Sequence, residues 1–392
     1  MPQKADKGRA GQSFYSKKRL FHLNPNPNTV YFFGIHLFGA VFLACWIRLA
    51  DAKYRAYLDS LGVNSTWWAF YSSQSAVDNL GFTLTPDSMG HFRDASLPLL
   101  LLGALGLAGQ TLRPVFLRLS LWLCAKVPGR AERAESASYL LENPQACLSM
   151  FPAVATRAQL IIISALTFGE TVFITVNDGH GVEVAGLSLG QRLSAAFFQA
   201  AAARHAGMTP YNLANVSAAA QLSLLVMMFI ATCPIVTAEY DNSAILASTT
   251  SPTYLARLVR EQLGLDVWWF FLAVFCLTIS EARSVQDDPV EGRAKQTNKK
   301  KKGLSDFPLM FEVVTAYNNV GISLGHPDVD AALCAKFSVV GKLVLCVLMV
   351  RGRHRRMLHR FRLLPDRYLL RLEEEEKEEE EEEEEAIGGS SC

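Results

Sequence analysis

Phe311-Glu312-Val313-Val314-Thr315-Ala316-Tyr317-Asn318-Asn319-Val320-Gly321-Ile322-Ser323 is a short apolar run that ends in a glycine between two apolar residues, then a hydroxyl. The same ending occurs twice more, as Asn79-Leu80-Gly81-Phe82-Thr83 and as His205-Ala206-Gly207-Met208-Thr209. The stretches that lead into these endings, 66–78, 191–204 and 307–318, each allow about three helical turns. All are too short to cross a bilayer core, which takes roughly 20 apolar residues. A central glycine lets the backbone turn where a side chain would resist. Carbonyl oxygens turned that way toward a shared axis can replace the hydration shell of a monovalent cation.

Working outward, longer apolar stretches flank each short one. Six of them, near 30–50, 95–118, 157–177, 214–238, 263–281 and 330–350, are expected to be spanning helices. The unit is therefore helix, half-helix with a glycine turn, helix, and it occurs three times, once per roughly 120 residues. The expected fold class is all-α integral membrane, with helix–pore-loop–helix units around one ion pore. Irregular backbone at membrane depth is tolerated only against protein or a watery cavity, so the three turns are expected to face one another. Half-helices that point their carboxyl ends at the axis favour a cation there.

The 392 residues are 50% hydrophobic and 19% charged, with a formal charge of +1. The charges are concentrated in a basic arm at 1–29, a Lys-rich stretch within 283–306 and a basic then acidic tail at 353–392. The remaining expected boundaries are a first unit at 30–125, a loop at 126–156, a second unit at 157–238, a loop at 239–261 and a third unit at 262–352. An inside location for the N-terminal arm puts Lys126, Arg130, Arg133 and Arg157, and the basic run from Arg351, on the cytoplasmic side, as the positive-inside tendency requires. The Lys-rich stretch falls outside and departs from that tendency. The polar N-terminus has no cleavable signal pattern. The eight cysteines form no CxxC pair and sit mostly in apolar segments, where they pack as small apolar residues. His180, His205 and His326 lack a metal-binding partner spacing, and no nucleophile elbow is present, so neither an enzyme nor a resident metal is expected. No nucleic-acid partner is expected either.

Ser75-Ala76-Val77-Asp78-Asn79-Leu80-Gly81-Phe82-Thr83-Leu84-Thr85-Pro86-Asp87-Ser88-Met89 and residues Phe311 to Gly325 resemble filter segments of the fungal Trk-type potassium transporters. Gln262-Leu263-Gly264-Leu265-Asp266-Val267-Trp268 and Arg351-Gly352-Arg353-His354-Arg355 resemble the last repeat of that family and its exit, so the similarity runs from about residue 30 to about 365. The resemblance implies four units around a pseudo-fourfold pore, whereas three are legible here and look like the second, third and fourth. Either the reading frame extends upstream or the chain is a truncated homologue.

The resemblance also implies potassium (K+) as the transported ion, a plasma-membrane location among lipid, and pairing into a homodimer. The filter would consist of Asn79, Leu80, Gly81, Phe82, His205, Ala206, Gly207, Met208, Asn319, Val320, Gly321 and Ile322. Uptake would be driven by the membrane potential. The alternatives are a sodium or mixed sodium/potassium pathway and a non-conducting fragment. Arg353, in a Gly-Arg pair, is expected near the permeation path. Met228 and Phe229, in Met227-Met228-Phe229-Ile230-Ala231-Thr232-Cys233-Pro234, match the place of an intramembrane gate, with Pro234 as a helix breaker.

Two charges are expected on physical grounds. Lys342, inside an apolar helix at a cost of about 3 kcal/mol or more, is expected to face the pore or a partner. Glu312 is expected to cap the N-terminus of the last half-helix.

Overall fold

The structure is a computed structural model that describes residues 27–126, 131–142, 153–179, 181–230, 267–281, 306–326 and 331–354, and every regular element in it is helical. In the first unit, α1 (Pro27–Leu49) begins with proline at its first position, where the missing N–H costs nothing. Only the stripe Gly39, Ala40, Leu43 and Ile47 is buried. Phe33, Leu37 and Phe38 stay exposed, so the helix is apolar all round, as a membrane span is. The short α2 (Ala52–Ser60) leads to the half-helix α3 (Ser65–Val77). Asn64 caps α3 through Oδ1, which accepts the N–H groups of Thr66 and Trp67 at 2.9 and 3.2 Å.

The return helix of this unit departs from expectation. The stretch 95–118 was expected to be one span, but α4 (Ser96–Gly106) runs into a π-helical turn at Leu107–Thr111. The chain then bends by 98° into α5 (Arg113–Lys126). The reason lies at Gly109: a Cβ there would sit 1.8 Å from the Val77 carbonyl oxygen, so the helix widens where it is pressed onto the end of α3. The loop expected at 126–156 also contains a helix, α6 (Ala131–Glu142), whose Ala137 and Leu140 pack on Leu117 and Leu121 of α5.

The second unit is α7 (Ala153–Asn177), α8 (Leu189–His205) and α9 (Ala218–Ile230). Ser188 and Gln191 form a reciprocal capping box that starts α8. The run Ala200–Ala203 is buried, and small side chains there let α4 and α7 close onto α8. Pro234 lies outside the described residues. The third unit is α10 (Val267–Glu281), α11 (Asp306–Tyr317) and α12 (339–354). Its interior is formed by Ala273 and Leu277, Leu309, Val313 and Tyr317, and Leu345 and Leu348, from the three helices in turn. The span expected at 330–350 starts at 339, after a 3-10 turn at Leu333–Lys336.

Glu312 requires a correction. It lies inside α11, not at its N-terminus, and its two carboxylate oxygens accept the Ser323 hydroxyl at 2.8 Å and the Cys334 N–H at 3.3 Å. A buried carboxylate needs such donors. It therefore ties the segment after the glycine turn back to the half-helix. By length and composition, α1 and Thr156–Asn177 could cross a membrane, and the bent pair α4/α5 would make a third such span. The helices α9 and α10 are apolar but shorter within the described residues.

Candidate ion site at the convergent glycine turns

The half-helices α3 and α11 end in the same way. Asn79 and Asn319 take the left-handed conformation, with φ of 54° and 53°. The Leu80 N–H donates to the Ser75 carbonyl at 3.0 Å, and the Val320 N–H to the Thr315 carbonyl at 2.9 Å. The Asn79 and Asn319 N–H groups bond one step inside these, to Ala76 and Ala316. This is a Schellman stop with asparagine in the position glycine usually takes. In the third unit the Thr315 hydroxyl also accepts from the Gly321 and Ile322 N–H groups at 3.1 and 3.0 Å. In these two turns the donors lie against the half-helix, which leaves carbonyl oxygens for the other side of the backbone.

The second unit reaches the same place by another route. His205 is the last helical residue of α8, Ala206 keeps a right-handed φ of −80°, and Gly207 is the left-handed residue, with φ of 68°. The three segments match in sequence, but only two share one cap geometry.

The turns meet. A Cβ built on Gly207 would lie 2.5 Å from the Val320 carbonyl oxygen and 2.8 Å from the Gly81 Cα. One on Gly81 would lie 3.1 Å from the Gly207 Cα and 3.4 Å from the Ala206 carbonyl oxygen. One on Gly321 would lie 3.8 Å from the Gly207 Cα. All three glycines have positive φ, at 76°, 68° and 86° in chain order. The backbone is thus bare on one shared line, and the Val320 and Ala206 carbonyl oxygens face the neighbouring turn. Outer bonds hold the turns in register: the Thr209 N–H donates to Ser88 Oγ, and the Met89 N–H to the Thr209 carbonyl, both at 3.0 Å.

The first residue of each turn, Asn79, His205 and Asn319, lines a cavity of about 390 Å³. Val77, Asp78 and Asn318 continue its wall, and Gln110, Arg113, Gly352 and Arg353 complete that side. Arg353 is therefore brought to the site. Gly352 makes this possible, because a Cβ on it would sit 1.7 Å from the Tyr317 carbonyl oxygen. Gly109 against Val77 in the first unit is the same contact, since Val77 and Tyr317 both lie two residues before the asparagine.

Other expected residues fall elsewhere. Met208, Val320 and Ile322 are buried in the central cluster beside the turns, whereas Leu80 and Phe82 are exposed, at 46% and 67%. Met228 is fully buried in that cluster, with Phe229 packed against it, and neither lines the cavity. Lys342 is exposed on α12 and is not part of the cavity wall.

Three features carry no obvious mark in the sequence. One is Arg113, which lands on the cavity only because the chain bends at Leu112. Another is Arg204, fully buried in the last turn of α8, with its Nη2 3.9 Å from Met227 Sδ. Glu170 of α7, buried and accepting the Ser223 hydroxyl at 2.6 Å, supplies the opposing charge. The third is the pair His36–Asp78, 3.2 Å apart. A charged residue at the end of a half-helix was the available signal for Arg204 and Asp78.

Comparison with known proteins identifies the family. A family model described as TrkH, cation transport protein, matches residues 21–239 and 247–365. The chain is similar to the potassium transporter TRK1 of Candida albicans, 31% identical over 343 residues, covering 83% of this chain and 31% of that protein. It is also similar to potassium transport protein 2 of Schizosaccharomyces pombe, at 30% identity with coverage of 83% and 39%. The high-affinity potassium transport protein of Saccharomyces cerevisiae is 26% identical, with coverage of 83% and 31%. The chain thus spans about a third of the length of the curated relatives it matches. With most of its residues matched by the family model, the chain belongs to the TrkH family of cation transport proteins.

Proposed function

We propose that this chain is the pore-forming part of a potassium transporter of the fungal Trk type, multi-pass in the plasma membrane. The observation that carries this is the mutual approach of Gly81, Gly207 and Gly321, with the Val320 and Ala206 carbonyls facing across the turns. The ion would be held by backbone oxygens of Asn79, Leu80, Phe82, His205, Ala206, Met208, Asn319, Val320 and Ile322, which replace its water. The carboxyl ends of α3, α8 and α11 converge beneath, and their partial negative charge favours a cation over an anion. The membrane potential supplies the driving force, about 2.3 kcal/mol per charge per 100 mV.

Exposed Leu80 and Phe82, with Gly321, leave one side of the ring uncovered, where a fourth unit would complete the wall. Exposed apolar faces on α1, α10 and α12, such as Phe33, Trp268 and Val339, fit contact with lipid or with a second copy in a homodimer. Arg353 limits cation occupancy below the turns, and Met228 and Phe229 flank the path from behind.

Expression of the full reading frame in potassium-uptake-deficient yeast tests the proposal. Growth at low potassium is the expected result, with Gly321→Ser weakening preference for potassium over sodium. Normal surface expression without growth would count against transport by this chain. An unchanged permeability ratio in the Gly321→Ser variant would remove Gly321 from the filter.

A further inference from the structure

We propose that Asn64 is an N-glycosylation site: on the outer side of the membrane its side-chain amide carries an oligosaccharide, set at the start of the first half-helix. The inference rests on the membrane orientation read from the charges and not on ion passage.

The chain has two acceptor sequences of the form Asn-x-Ser/Thr, Asn64-Ser65-Thr66 and Asn215-Val216-Ser217. Glycans are added in the secretory lumen, which becomes the outer face, so position across the membrane decides which asparagines are reached. The half-helix α3 has Asn64 at one end and Asp78 at the other, and Asp78 lines the cavity together with Arg113 and Arg353. The arginine-bearing end belongs to the cytoplasmic side by the positive-inside tendency. The 13 residues of α3, at 1.5 Å each, then hold Asn64 about 20 Å from that end, toward the outside.

The surroundings of Asn64 are those of an aqueous surface. It is itself exposed, and α2 before it exposes Lys53, Asp59 and Ser60. Tyr57 of α2 stacks on His91 with ring centroids 3.6 Å apart. Lys53 and Tyr54 donate to Asp94, and Arg93 donates to Glu183.

The covalent chemistry suits the local structure. Both cap bonds of α3 end on Asn64 Oδ1, from the Thr66 and Trp67 N–H groups. The glycan is joined through the other amide atom, Nδ2. In that step Nδ2 attacks the anomeric carbon of a lipid-linked oligosaccharide pyrophosphate. The new C–N bond replaces the C–O bond to pyrophosphate, and the departing lipid pyrophosphate takes the Nδ2 proton. The product amide keeps its carbonyl oxygen, so cap and glycan coexist on one residue.

Asn215 is the internal comparison. It stands just before the apolar helix α9 begins at Ala218, and its Nδ2 donates to Glu183 Oε1 at 2.8 Å. So near a helix that enters the bilayer, it cannot extend into a lumenal transferase. Asn64 is separated from the end of α1 at Leu49 by the whole of α2.

The test is expression of the full chain in yeast and treatment of the membranes with peptide-N-glycosidase. That enzyme removes the glycan and leaves aspartate where the glycosylated asparagine stood. One downward step in gel mobility is expected, with the converted residue at 64 and not at 215 by peptide mass spectrometry. Thr66→Ala and Asn64→Asp both keep an Oδ1 for the cap and should abolish the step, whereas Thr66→Ser should retain it. An unchanged wild-type band, conversion at 215 alone, or a step that survives Thr66→Ala overturns the proposal. Labelling of Ser60→Cys in intact cells by a membrane-impermeant maleimide, against the wild-type background, separates two ways of failing. Labelling without a glycan rejects the modification and keeps the orientation. Labelling only after permeabilisation rejects the orientation, and the glycan with it.

Discussion

Gly207 and Val320 belong to different repeats, yet a methyl group on Gly207 would lie 2.5 Å from the Val320 carbonyl oxygen. Real Cβ contacts do not reach that distance, so the second turn tolerates no side chain where it meets the third. The three glycines can therefore be ranked. Gly207→Ala should be the most damaging to cation uptake, Gly81→Ala next, with 3.1 Å to the Gly207 Cα, and Gly321→Ala least, with 3.8 Å. All three also incur about 1–2 kcal/mol for a left-handed non-glycine residue. Uptake rates normalised to surface expression check the order, and Gly321→Ala as the most damaging variant would contradict it.

Gly109 and Gly352 should fail for a different reason. Each lies against the last carbonyls of a half-helix, with a virtual Cβ at 1.8 and 1.7 Å from oxygen. Alanine at either position must push the π-helical turn at Leu107–Thr111 off α3, or α12 off α11. Gly169 and Gly190 are the matched controls, since a Cβ on them meets nothing within 4 Å. Thermal unfolding followed by size-exclusion fluorescence should show a marked loss for the first two. Gly169→Ala, in a helix interior, should gain up to about 1 kcal/mol.

Glu170 and Arg204 form a buried pair of opposite charge, with Glu170 Oε1 and Arg204 Nη1 both lacking hydrogen-bond partners. Breaking it from one side leaves a buried charge alone. Glu170→Leu should lower thermal stability and place an uncompensated cation one residue before His205. The double variant Glu170→Leu, Arg204→Met should recover most of that loss, as a double-mutant cycle on thermal stability would reveal.

On the outer face, Lys53 and Tyr54 both donate to the Asp94 carboxylate. Burial alone would raise that carboxyl's pKa, but the bonds from Lys53 and Tyr54 outweigh it and hold it below the usual carboxylate range. The sign follows: the stabilisation is full above the ordinary carboxylate value and is lost as pH falls through the lower folded value. Asp94→Asn should remove it at neutral pH and reduce the acid-side slope of melting temperature. Because Lys53 is exposed and Asp94 only partly buried, the effect should stay under about 1 kcal/mol.

The half-helices and their endings were legible because their signals are local. Half-helix lengths matched within a few residues, and the turn glycines are marked by flanking apolar residues and a hydroxyl. What escaped depends on tertiary contact. The break at Leu112 arises because Gly109 meets Val77, and nothing in 95–118 shows that meeting. Glu312 looked like a cap because it stands near the start of an apolar run. Its actual partners, Ser323 and Cys334, come from beyond the turn. Arg113 and Arg353 share a cavity because each follows a glycine seated on a half-helix end, a correspondence that is spatial before it is sequential.

The most direct measurement is anomalous scattering from thallium or rubidium in crystals of the full protein. A peak on the line shared by Gly81, Gly207 and Gly321, within coordination distance of the Val320 and Ala206 carbonyl oxygens, is the predicted result. Ordered glycine turns with no peak between them, at ion concentrations that support uptake, would contradict it.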